Sequence, residues 1–357
     1  MKVLSLAVEN FKRFRERKRL DFRDPETGLA KDLIVLVGKN GAGKSSVLQA
    51  IAAMLGTATR RLKKGPSDLD WPGFDWGLVN KAWPRSTSIQ LEIGFSDDER
   101  KATIDYFDRT YIAQEPNATK PGDSPVVTLD LDSEKQVRAG RRSEFYQFRG
   151  RDYARIIRKQ SPESFALFKR VGNVFWYTEH RTTNSLTPEE NGQEISLTID
   201  VLRRRLSDWM QFHERIERQE RQLRPGERDL FYELEKAYRT VFPQRRFDGP
   251  VPRAEIDEVL AEPWFYLYDS HRPYELSEMS GGERAIFPIL LDFVVWNIHN
   301  SVILIDELEL HLHPPLQQHL LLALRNLGEN NQFIVTTHSD AVAAVTPEES
   351  FYRLEAD

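Results

Sequence analysis

Apolar residues recur along the chain with two different spacings. Residues 33–37 (LIVLV) form a continuous apolar run that ends at a glycine, as a strand buried on both faces of a parallel sheet does. Residues 45–55 have apolar positions three and four apart, which predicts an amphipathic helix. Two more apolar runs, 301–305 and 332–337, predict strands, with a helix between them at 315–327. The alternation of strand and helix predicts an α/β fold.

Other segments alternate apolar and polar residues, which is typical of strands with one wet face. Residues 2–8, 86–95 and 126–131 have this pattern and predict an antiparallel sheet. Residues 264–268 (WFYLY) predict a further strand. Between residues 203 and 246 the pattern favours one or two charged helices, broken near an Arg-Pro-Gly turn at 224–226.

The 357 residues set the expected size and class of the protein. A length of this order predicts about two domains. The absence of cysteine excludes disulfides, cysteine-ligated zinc, iron–sulfur clusters and thiol nucleophiles. A polar N-terminal stretch and short apolar runs predict a soluble, cytoplasmic protein without a membrane segment.

The net charge of −5 conceals an uneven distribution. Residues 135–170 hold 11 Lys and Arg against 3 acids, whereas residues 302–357 hold 9 acids and 2 bases. Aromatic residues lie among the bases, which favours contact with the backbone of DNA or RNA. The alternative is a solvated lobe whose aromatic rings face the core. The aromatic residues in question are Phe145, Tyr146, Phe148 and Tyr153.

The first motif with chemical meaning lies between the strand at 33–37 and the next helix. Residues 38–45 (GKNGAGKS) match G-x-x-x-x-G-K-[ST]. Glycines let backbone N–H groups face a phosphate, the lysine adds a cation, the last hydroxyl can bind Mg²⁺, and the helix points its positive end there. The alternative is an ordinary glycine-rich turn between a strand and a helix that binds no ligand. The motif predicts ATP binding at Gly38, Asn40, Gly41, Ala42, Gly43, Lys44, Ser45 and Ser46, with Ser45 also a Mg²⁺ ligand.

A second motif follows the apolar run that ends at residue 305. A buried strand delivers Asp306 to its carboxyl end, where the carboxylate can hold Mg²⁺ directly or through water. Glu307 comes next and can polarise an attacking water as the catalytic base. Such an acidic pair is common by itself, and its place in the chain between two other buried strands makes the prediction specific.

Two further motifs complete the set. Residues 280–283 (SGGE) begin a predicted helix over 284–296 and form either a second anion-binding nest or an ordinary helix cap. His338 follows the strand at 332–337, at the edge where a side chain can reach a γ-phosphate. The ordered set of four motifs is far less expected by chance than any one of them.

These residues together resemble the ABC-type ATPases of the SMC, RecF and OLD-like branch, and in particular compact bacterial ATPases often encoded in anti-phage defence islands. Leu276–Ser277 with SGGE resembles the signature motif, and residues 8–14 (VENFKRF) resemble the opening of that branch. Residues 308–314 (LELHLHP) resemble its D-loop, and 333–339 (FIVTTHS) its switch. The likeness covers the two ends of the chain well and the middle only in architecture.

The resemblance implies an ABC ATPase head with an antiparallel β subdomain and a mainly helical insertion. Residues 1–96 and 261–357 would form the head, and residues 97–260 the inserted basic lobe. Two heads would form a homodimer with two ATP molecules at the interface, and the signature motif of one would contact the nucleotide of the other. The residues that the resemblance adds to the ATP site are Lys12, Arg13, Arg181, Ser280, Gly281, Gly282, Glu283 and His313, with His338 as a catalytic switch residue.

The function implied is an ATPase whose ATP-bound dimer senses or clamps nucleic acid or a partner, in anti-phage defence. Only 18 residues follow Ser339, so a nuclease or toxin is expected as a separate effector protein. A recombination or repair ATPase and a low-turnover scaffold remain open alternatives. The D-loop argues against a transporter subunit.

Overall fold

The computed structural model describes residues 1–63, 65–69, 86–132, 135–159, 162–178, 198–253 and 263–355. Within these ranges the strands are β1 (Lys2–Glu9), β2 (Lys18–Asp21), β3 (Leu33–Val37), β4 (Ser88–Gly94), β5 (Val126–Leu131), β6 (Val137–Ala139), β7 (Val174–Tyr177), β8 (Arg246–Val251), β9 (Trp264–Tyr268), β10 (Pro273–Glu275), β11 (Val302–Ile305), β12 (Gln332–Thr337) and β13 (Phe351–Arg353). The helices are α1 (Lys44–Ala58), α2 (Asp97–Arg109), α3 (Arg142–Tyr146), α4 (Gly150–Arg158), α5 (Ile199–Glu217), α6 (Leu230–Val241), α7 (Gly281–Val295), α8 (Pro314–Leu324) and α9 (Asp340–Val345).

A parallel sheet with the strand order β13-β3-β12-β11-β7 lies at the centre. Its register pairs Thr337 with Val37, and Ile305 with both Val335 and Tyr177. These pairings bring the carboxyl ends of β3, β11 and β12 to one edge. Residues that follow the three strands therefore lie together, as ligand-binding residues do in parallel α/β sheets.

Both faces of the central sheet are covered, which is why its strands are continuous apolar runs. Ile34 and Leu36 of β3 pack into a core shared with α1 and the antiparallel sheet. Leu33 and Val35 of the same strand pack into a second core built from α6, α7, α8 and the strands β8 to β10. Alternate side chains of β3 thus lie on opposite faces of the sheet, and each set packs into the core on its own side.

The antiparallel sheet has the order β2-β1-β4-β5-β6. Ile89, Leu91 and Ile93 of β4 are buried against α1, while the residues between them are partly exposed, as the alternating pattern predicts. The predicted strands at 2–8, 86–95 and 126–131 are confirmed as β1, β4 and β5.

The middle of the chain, expected to be a mainly helical insertion, contains both helices and strands. Residues 97–260 contribute β5 and β6 to the antiparallel sheet, β7 to the central sheet, and β8 to a three-stranded sheet of order β10-β9-β8. The proposed domain boundaries stay a prediction. The hydrophobic pattern did not predict β6 and β7, because these strands are only three and four residues long and a period of two residues is not recognisable over so short a run.

The last strand, β13, lies at the edge of the central sheet beside β3. Just beyond it, the N–H of Leu354 donates to the carbonyl oxygen of Val37 (2.7 Å). A Cβ placed on Gly38 would collide with the carbonyl oxygen of Leu354. The chain after β13 therefore packs directly against the first residue of the glycine-rich loop.

The expected fold class is confirmed: an α/β fold combines a parallel sheet with antiparallel sheets. Among the helices of the described ranges, none combines the length and the apolar character that crossing a membrane requires.

Candidate active site

The loop between β3 and α1 is shaped by its glycines. Gly41 (φ +81°) and Gly43 (φ +90°) both adopt left-handed backbone, a conformation in which successive N–H groups can form an anion-binding nest. A Cβ on Gly43 would also lie 2.7 Å from Cζ of Phe14, whose ring is buried. Backbone conformation and lack of space therefore both require glycine at position 43.

Lys44 opens α1, and its ammonium group lies across the loop. Nζ donates to the carbonyl oxygens of Gly38 (2.8 Å) and Lys39 (3.3 Å) and lies 3.4 Å from Nδ1 of His338. Burial lowers the pKa of Lys44, and the carboxylate of Asp306 opposes that shift. The structure thus brings a buried cation, a histidine and a phosphate-binding loop to one place.

Ser45 and Asp306 meet at the same edge of the sheet. Oγ of Ser45 lies 3.2 Å from Oδ1 of Asp306, and Thr336 donates to the same carboxylate oxygen. Hydroxyl and carboxylate oxygens are the ligands that Mg²⁺ prefers, with substrate phosphates and water filling the other positions. No group of three or more His, Cys, Asp or Glu that could hold a metal occurs in the described part of the chain. A two-oxygen site of this kind fits Mg²⁺ bound together with a nucleotide.

Glu307 follows Asp306 in a strained conformation. Its φ of +48° is left-handed, which is rare for a residue with a Cβ and is often found at functional sites. Its backbone N–H donates to Oγ1 of Thr336 (2.8 Å), so one threonine holds both acidic residues. The side chain of Glu307 is partly exposed beside the loop edge.

Glu309 is a residue of this site that the sequence motifs did not single out. One of its carboxylate oxygens accepts the backbone N–H of His338 (2.5 Å). Its other oxygen is buried and has no hydrogen-bond partner among the described residues. Because Glu309 joins the turn after β11 to the turn after β12, it helps to place His338. Its position two residues after Glu307 in the sequence is the signal that could have identified it.

Residues 11–14 form a tight turn closed by two backbone hydrogen bonds. Nζ of Lys12 donates to Oε1 of Gln49 on α1 (2.6 Å). The guanidinium of Arg13 lies beside Gly41, with Nη2 3.7 Å from the position of an added Cβ. Both basic residues therefore lie near the glycine-rich loop, and their contact with a nucleotide stays a prediction.

The SGGE segment begins α7. Oγ of Ser280 accepts the N–H of Glu283 (3.3 Å) as a helix cap, and Ser280 and Gly281 are exposed. Glu283 is only 1% exposed, and both of its carboxylate oxygens accept hydrogen bonds within the protein. This placement does not support the expectation that Glu283 itself contacts a nucleotide. Its side chain holds the loop from the interior.

The D-loop and the SGGE segment pack against each other. A Cβ on Gly282 would lie 2.9 Å from a methyl group of Leu316 and 3.4 Å from one of Leu312. His313 is exposed at the N-terminal cap position of α8. The two segments therefore form one continuous surface, on which the role of His313 stays a prediction.

The expected contribution of Arg181 lies outside the described residues. The preceding strand, β7, ends at Tyr177, whose carbonyl oxygen accepts the N–H of Asp306 (2.9 Å). Tyr177, the last residue of β7, therefore lies next to Asp306.

The basic stretch at 135–170 is largely internal where its aromatics lie. Phe148 and Tyr153 are buried in the core, and Arg151 is only 4% exposed. Arg155 forms an ion pair with Asp152 (3.1 Å). Rings that face the core cannot stack on bases, so the structure favours the alternative interpretation for these two aromatics.

A different basic segment, residues 12–19, is exposed apart from Phe14. It holds six Lys or Arg and one acid, in the connection between β1 and β2 and in the first two residues of β2. Arg17 donates to the neutral amide of Gln90 (3.3 Å), and Arg19 pairs with Glu92 (3.4 Å). The sequence motifs covered only its first two bases. The four basic residues that follow them continue a run of like charge, which was a recognisable signal of a charged surface in the sequence.

Comparison with known proteins gives a family match over most of the chain. A family described as "AAA domain, putative AbiEii toxin, Type IV TA system" matches residues 33–344. A second family, described as an AAA domain, matches residues 1–64. The two matches together include the glycine-rich loop, the Asp306–Glu307 pair and His338.

Two relatives align along nearly the whole chain. Septu protein PtuA of Bacillus mycoides (strain KBAB4) is 23% identical over 353 residues, covering 94% of this chain and 38% of the relative. Retron Ec83 probable ATPase of Escherichia coli is 21% identical over 406 residues, covering 99% of this chain and 72% of the relative. The chain therefore spans well under half the length of the Septu relative.

Among solved structures, an SMC head bound to the C-terminal winged-helix domain of ScpA is similar, with a TM-score of 0.50. The sequence identity is 16%, and the alignment covers 97% of this chain and 93% of that one. At this identity the likeness concerns the fold alone.

Proposed function

This chain belongs to the AAA-domain family whose match spans residues 33–344, and from that premise we propose that it binds ATP with Mg²⁺ and hydrolyses the γ-phosphate bond. The observation that carries the proposal is the meeting of Lys44, Ser45, Asp306 and His338 at one sheet edge. Nζ of Lys44 lies 3.4 Å from Nδ1 of His338, and Oγ of Ser45 lies 3.2 Å from Oδ1 of Asp306, so groups of the chemistry that phosphoryl transfer needs are brought together.

Each residue has a distinct part in the proposed reaction. Lys44 and the N–H groups of the glycine-rich loop bind the phosphates, and Ser45 and Asp306 hold Mg²⁺, which neutralises developing charge. Glu307 accepts a proton from the attacking water. His338 presents an imidazole beside the ammonium of Lys44, at the position of the terminal phosphate.

The SGGE segment of a second copy completes the site in this proposal. Ser280 and Gly281 are exposed at the N-terminus of α7, where backbone N–H groups favour an anion. His313 lies on the surface that is continuous with them. An ATP-dependent homodimer would place these groups against the phosphate of the partner copy.

The biological setting that we propose is anti-phage defence, together with a separate effector protein. The names of the Septu and retron relatives support it. A recombination or repair ATPase and a low-turnover scaffold are the competing proposals, since both use the same head.

Nucleic acid is the proposed ligand of the dimer, and the exposed segment 12–19 is the surface that favours it. Its guanidinium and ammonium groups suit phosphate backbones and carry no base-specific arrangement. Arg13 of this segment lies beside Gly41, so a bound strand would lie next to the nucleotide.

The proposal is tested by comparing Glu307→Gln, Lys44→Ala and wild type in ATP binding, phosphate release and light scattering. Loss of the general base predicts a decrease in turnover of about 100-fold for Glu307→Gln, with ATP-bound dimers retained. Lys44→Ala is expected to lose ATP binding. Fluorescence anisotropy of a labelled DNA duplex with the Glu307→Gln dimer, at two salt concentrations, tests the nucleic-acid part.

The matched control is Glu348→Gln, which removes the same charge at an exposed position outside the site. Wild-type turnover in Glu307→Gln would overturn the catalytic assignment. Dimers that form equally well without ATP would overturn the shared site, and duplex binding that does not weaken with salt would overturn the basic surface.

A further inference from the structure

A buried cluster of hydrogen bonds lies beneath the SGGE segment. The hydroxyls of Tyr238 and Tyr274 both donate to Oε1 of Glu283 (2.5 Å each). Oε2 of Glu283 accepts the N–H (2.9 Å) and hydroxyl (2.8 Å) of Ser280 and forms an ion pair with Arg245. We call Tyr238, Tyr274, Arg245 and Glu283 the tyrosine brace.

The members of the brace come from different parts of the chain. Tyr238 lies on α6, Tyr274 on β10, and Arg245 between α6 and β8. Tyr238 is fully buried, and its ring stacks on Phe247 with centroids 5.2 Å apart. The position of Glu283 therefore depends on how α6 and the three-stranded sheet pack.

Charge and protonation make the brace specific. Burial raises the pKa of Tyr274 to about 12 and that of Tyr238 further, so both stay hydroxyl donors. Burial acts to raise the pKa of Glu283, but the hydrogen bonds from Tyr238, Tyr274, Arg245 and Ser280 together outweigh it and the pKa is lowered. A buried carboxylate that loses one of its donors loses part of the compensation for its burial, which is costly.

The arrangement divides the two oxygens of Glu283 between two tasks. The tyrosines occupy Oε1, and this orientation directs Oε2 to the backbone and side chain of Ser280. A displacement of Tyr238 with α6 would rotate the carboxylate and move Ser280. The exposed residue thus takes its position from a helix more than 40 residues earlier in the sequence.

We propose that Tyr238, Tyr274 and Arg245 are positioning residues that set the SGGE loop, so that the packing of α6 controls ATP hydrolysis at the site of a second copy. This inference rests on the proposed function, because it concerns the same composite site. It adds a way to regulate ATP hydrolysis, because a partner that shifts α6 would change turnover without touching either glycine-rich loop.

The first test measures kcat, KM and ATP affinity for Tyr238→Phe, Tyr274→Phe and the double variant. We expect kcat to fall about 10-fold for each single change, the size of one hydrogen bond to a charged group. ATP affinity of the isolated copy should stay unchanged because its own glycine-rich loop is intact. Tyr232→Phe, on the same helix and 52% exposed, is the matched control.

The brace offers a conservative partner for rescue. Arg245→Lys keeps the charge that faces Glu283 and is expected to retain most of the turnover, whereas Arg245→Met is expected to lose it. Melting curves of all variants identify any that fail to fold. If a melting transition is lost in the double variant, the single Tyr274→Phe variant decides the outcome.

A mixing experiment distinguishes action on the partner from action on the same copy. Lys44→Ala and the double tyrosine variant are each expected to turn over slowly. Their mixture should turn over well above the sum of the two, because one site of the hybrid combines an intact lysine with an intact brace. Wild type that hydrolyses no ATP would overturn the proposed function, and an active wild type without recovery in the mixture would overturn only the brace.

Discussion

The two halves of the proposed ATP site are built by different means. On the Lys44 side, the functional groups follow the ends of adjacent parallel strands, and the strand register brings Asp306 and His338 to the loop. On the Ser280 side, an exposed helix cap is held by buried side chains from elsewhere in the chain. The first half depends on the backbone, and the second depends on side-chain hydrogen bonds.

This difference determines how each half responds to change. Strand ends in a covered sheet are held by many hydrogen bonds and cannot shift singly. The Ser280 loop is held by side-chain contacts, among them the two hydrogen bonds that Ser280 donates to Glu283. We infer that the Lys44 side is the constant part of the site and the Ser280 side the adjustable part.

The largest expected effect comes from exchanging the glycines of the two loops for alanine. Gly43→Ala adds a Cβ at φ +90° and 2.7 Å from Phe14. Left-handed strain of about 1–3 kcal/mol and the collision should weaken ATP binding at least about 10-fold. Isothermal titration with ATP measures the effect.

Gly281→Ala is the matched change on the other loop, since its Cβ would meet no atom within 4 Å. It should bind ATP like wild type. Equal ATP affinity for Gly43→Ala and Gly281→Ala would remove the distinction between the two loops.

A smaller effect is expected from Thr336→Val, which keeps the shape of a fully buried side chain. The change removes the hydrogen bond to Asp306 and leaves the N–H of Glu307 without its acceptor. We expect unfolding in denaturant to become easier by about 1–3 kcal/mol, and more Mg²⁺ to be needed for half-maximal turnover.

Thr337→Val, the next residue of β12, is the control, because its hydroxyl accepts the N–H of Ser339 (2.9 Å) outside the metal site. If both variants require the same Mg²⁺ concentration as wild type, Thr336 does not hold the acidic pair.

The sequence predicted the Lys44 half well for a physical reason. Apolar runs mark buried strands, and the residue after each run must lie at the shared edge, so Asp306 and His338 could be placed without a structure. The predicted helices and strands around them were confirmed within a few residues.

The other half could not be predicted in the same way. Nothing local in the sequence indicates that Tyr238 and Tyr274 donate to Glu283, because contacts between distant segments leave no periodic pattern. For the same reason the burial of Phe148 and Tyr153 could not be separated from a basic, aromatic surface. Glu309 was overlooked because its role depends on the turn after another strand.

The smallest expected effect concerns the turn that joins the two halves, between α7 and β11. His299 in this turn accepts the N–H of Glu329 through Nδ1 (3.0 Å), which requires a neutral ring. Burial lowers the pKa of His299 to about 4. Since its unfolded pKa is near 6.5, its contribution to stability is complete above that pH and is lost as the pH falls toward 4.

Melting temperatures at pH 7, 6 and 5 test this expectation. His299→Gln should lose less thermal stability on acidification than wild type. Asp292 acts in the opposite sense, because burial raises its pKa to about 6 and protonation relieves a buried charge. Asp292→Asn should therefore steepen the loss, and identical slopes in all three proteins would contradict both assignments.

The edge strand β13 gives the molecule a mechanical property. It pairs with β3, and Leu354 just beyond it contacts Gly38. Tension on the chain at residues 354–355 would therefore act directly on the glycine-rich loop. The opposite edge strand, β7, abuts Asp306 in a comparable manner through Tyr177. A force applied at either margin of the central sheet would therefore act on residues beside the proposed nucleotide site.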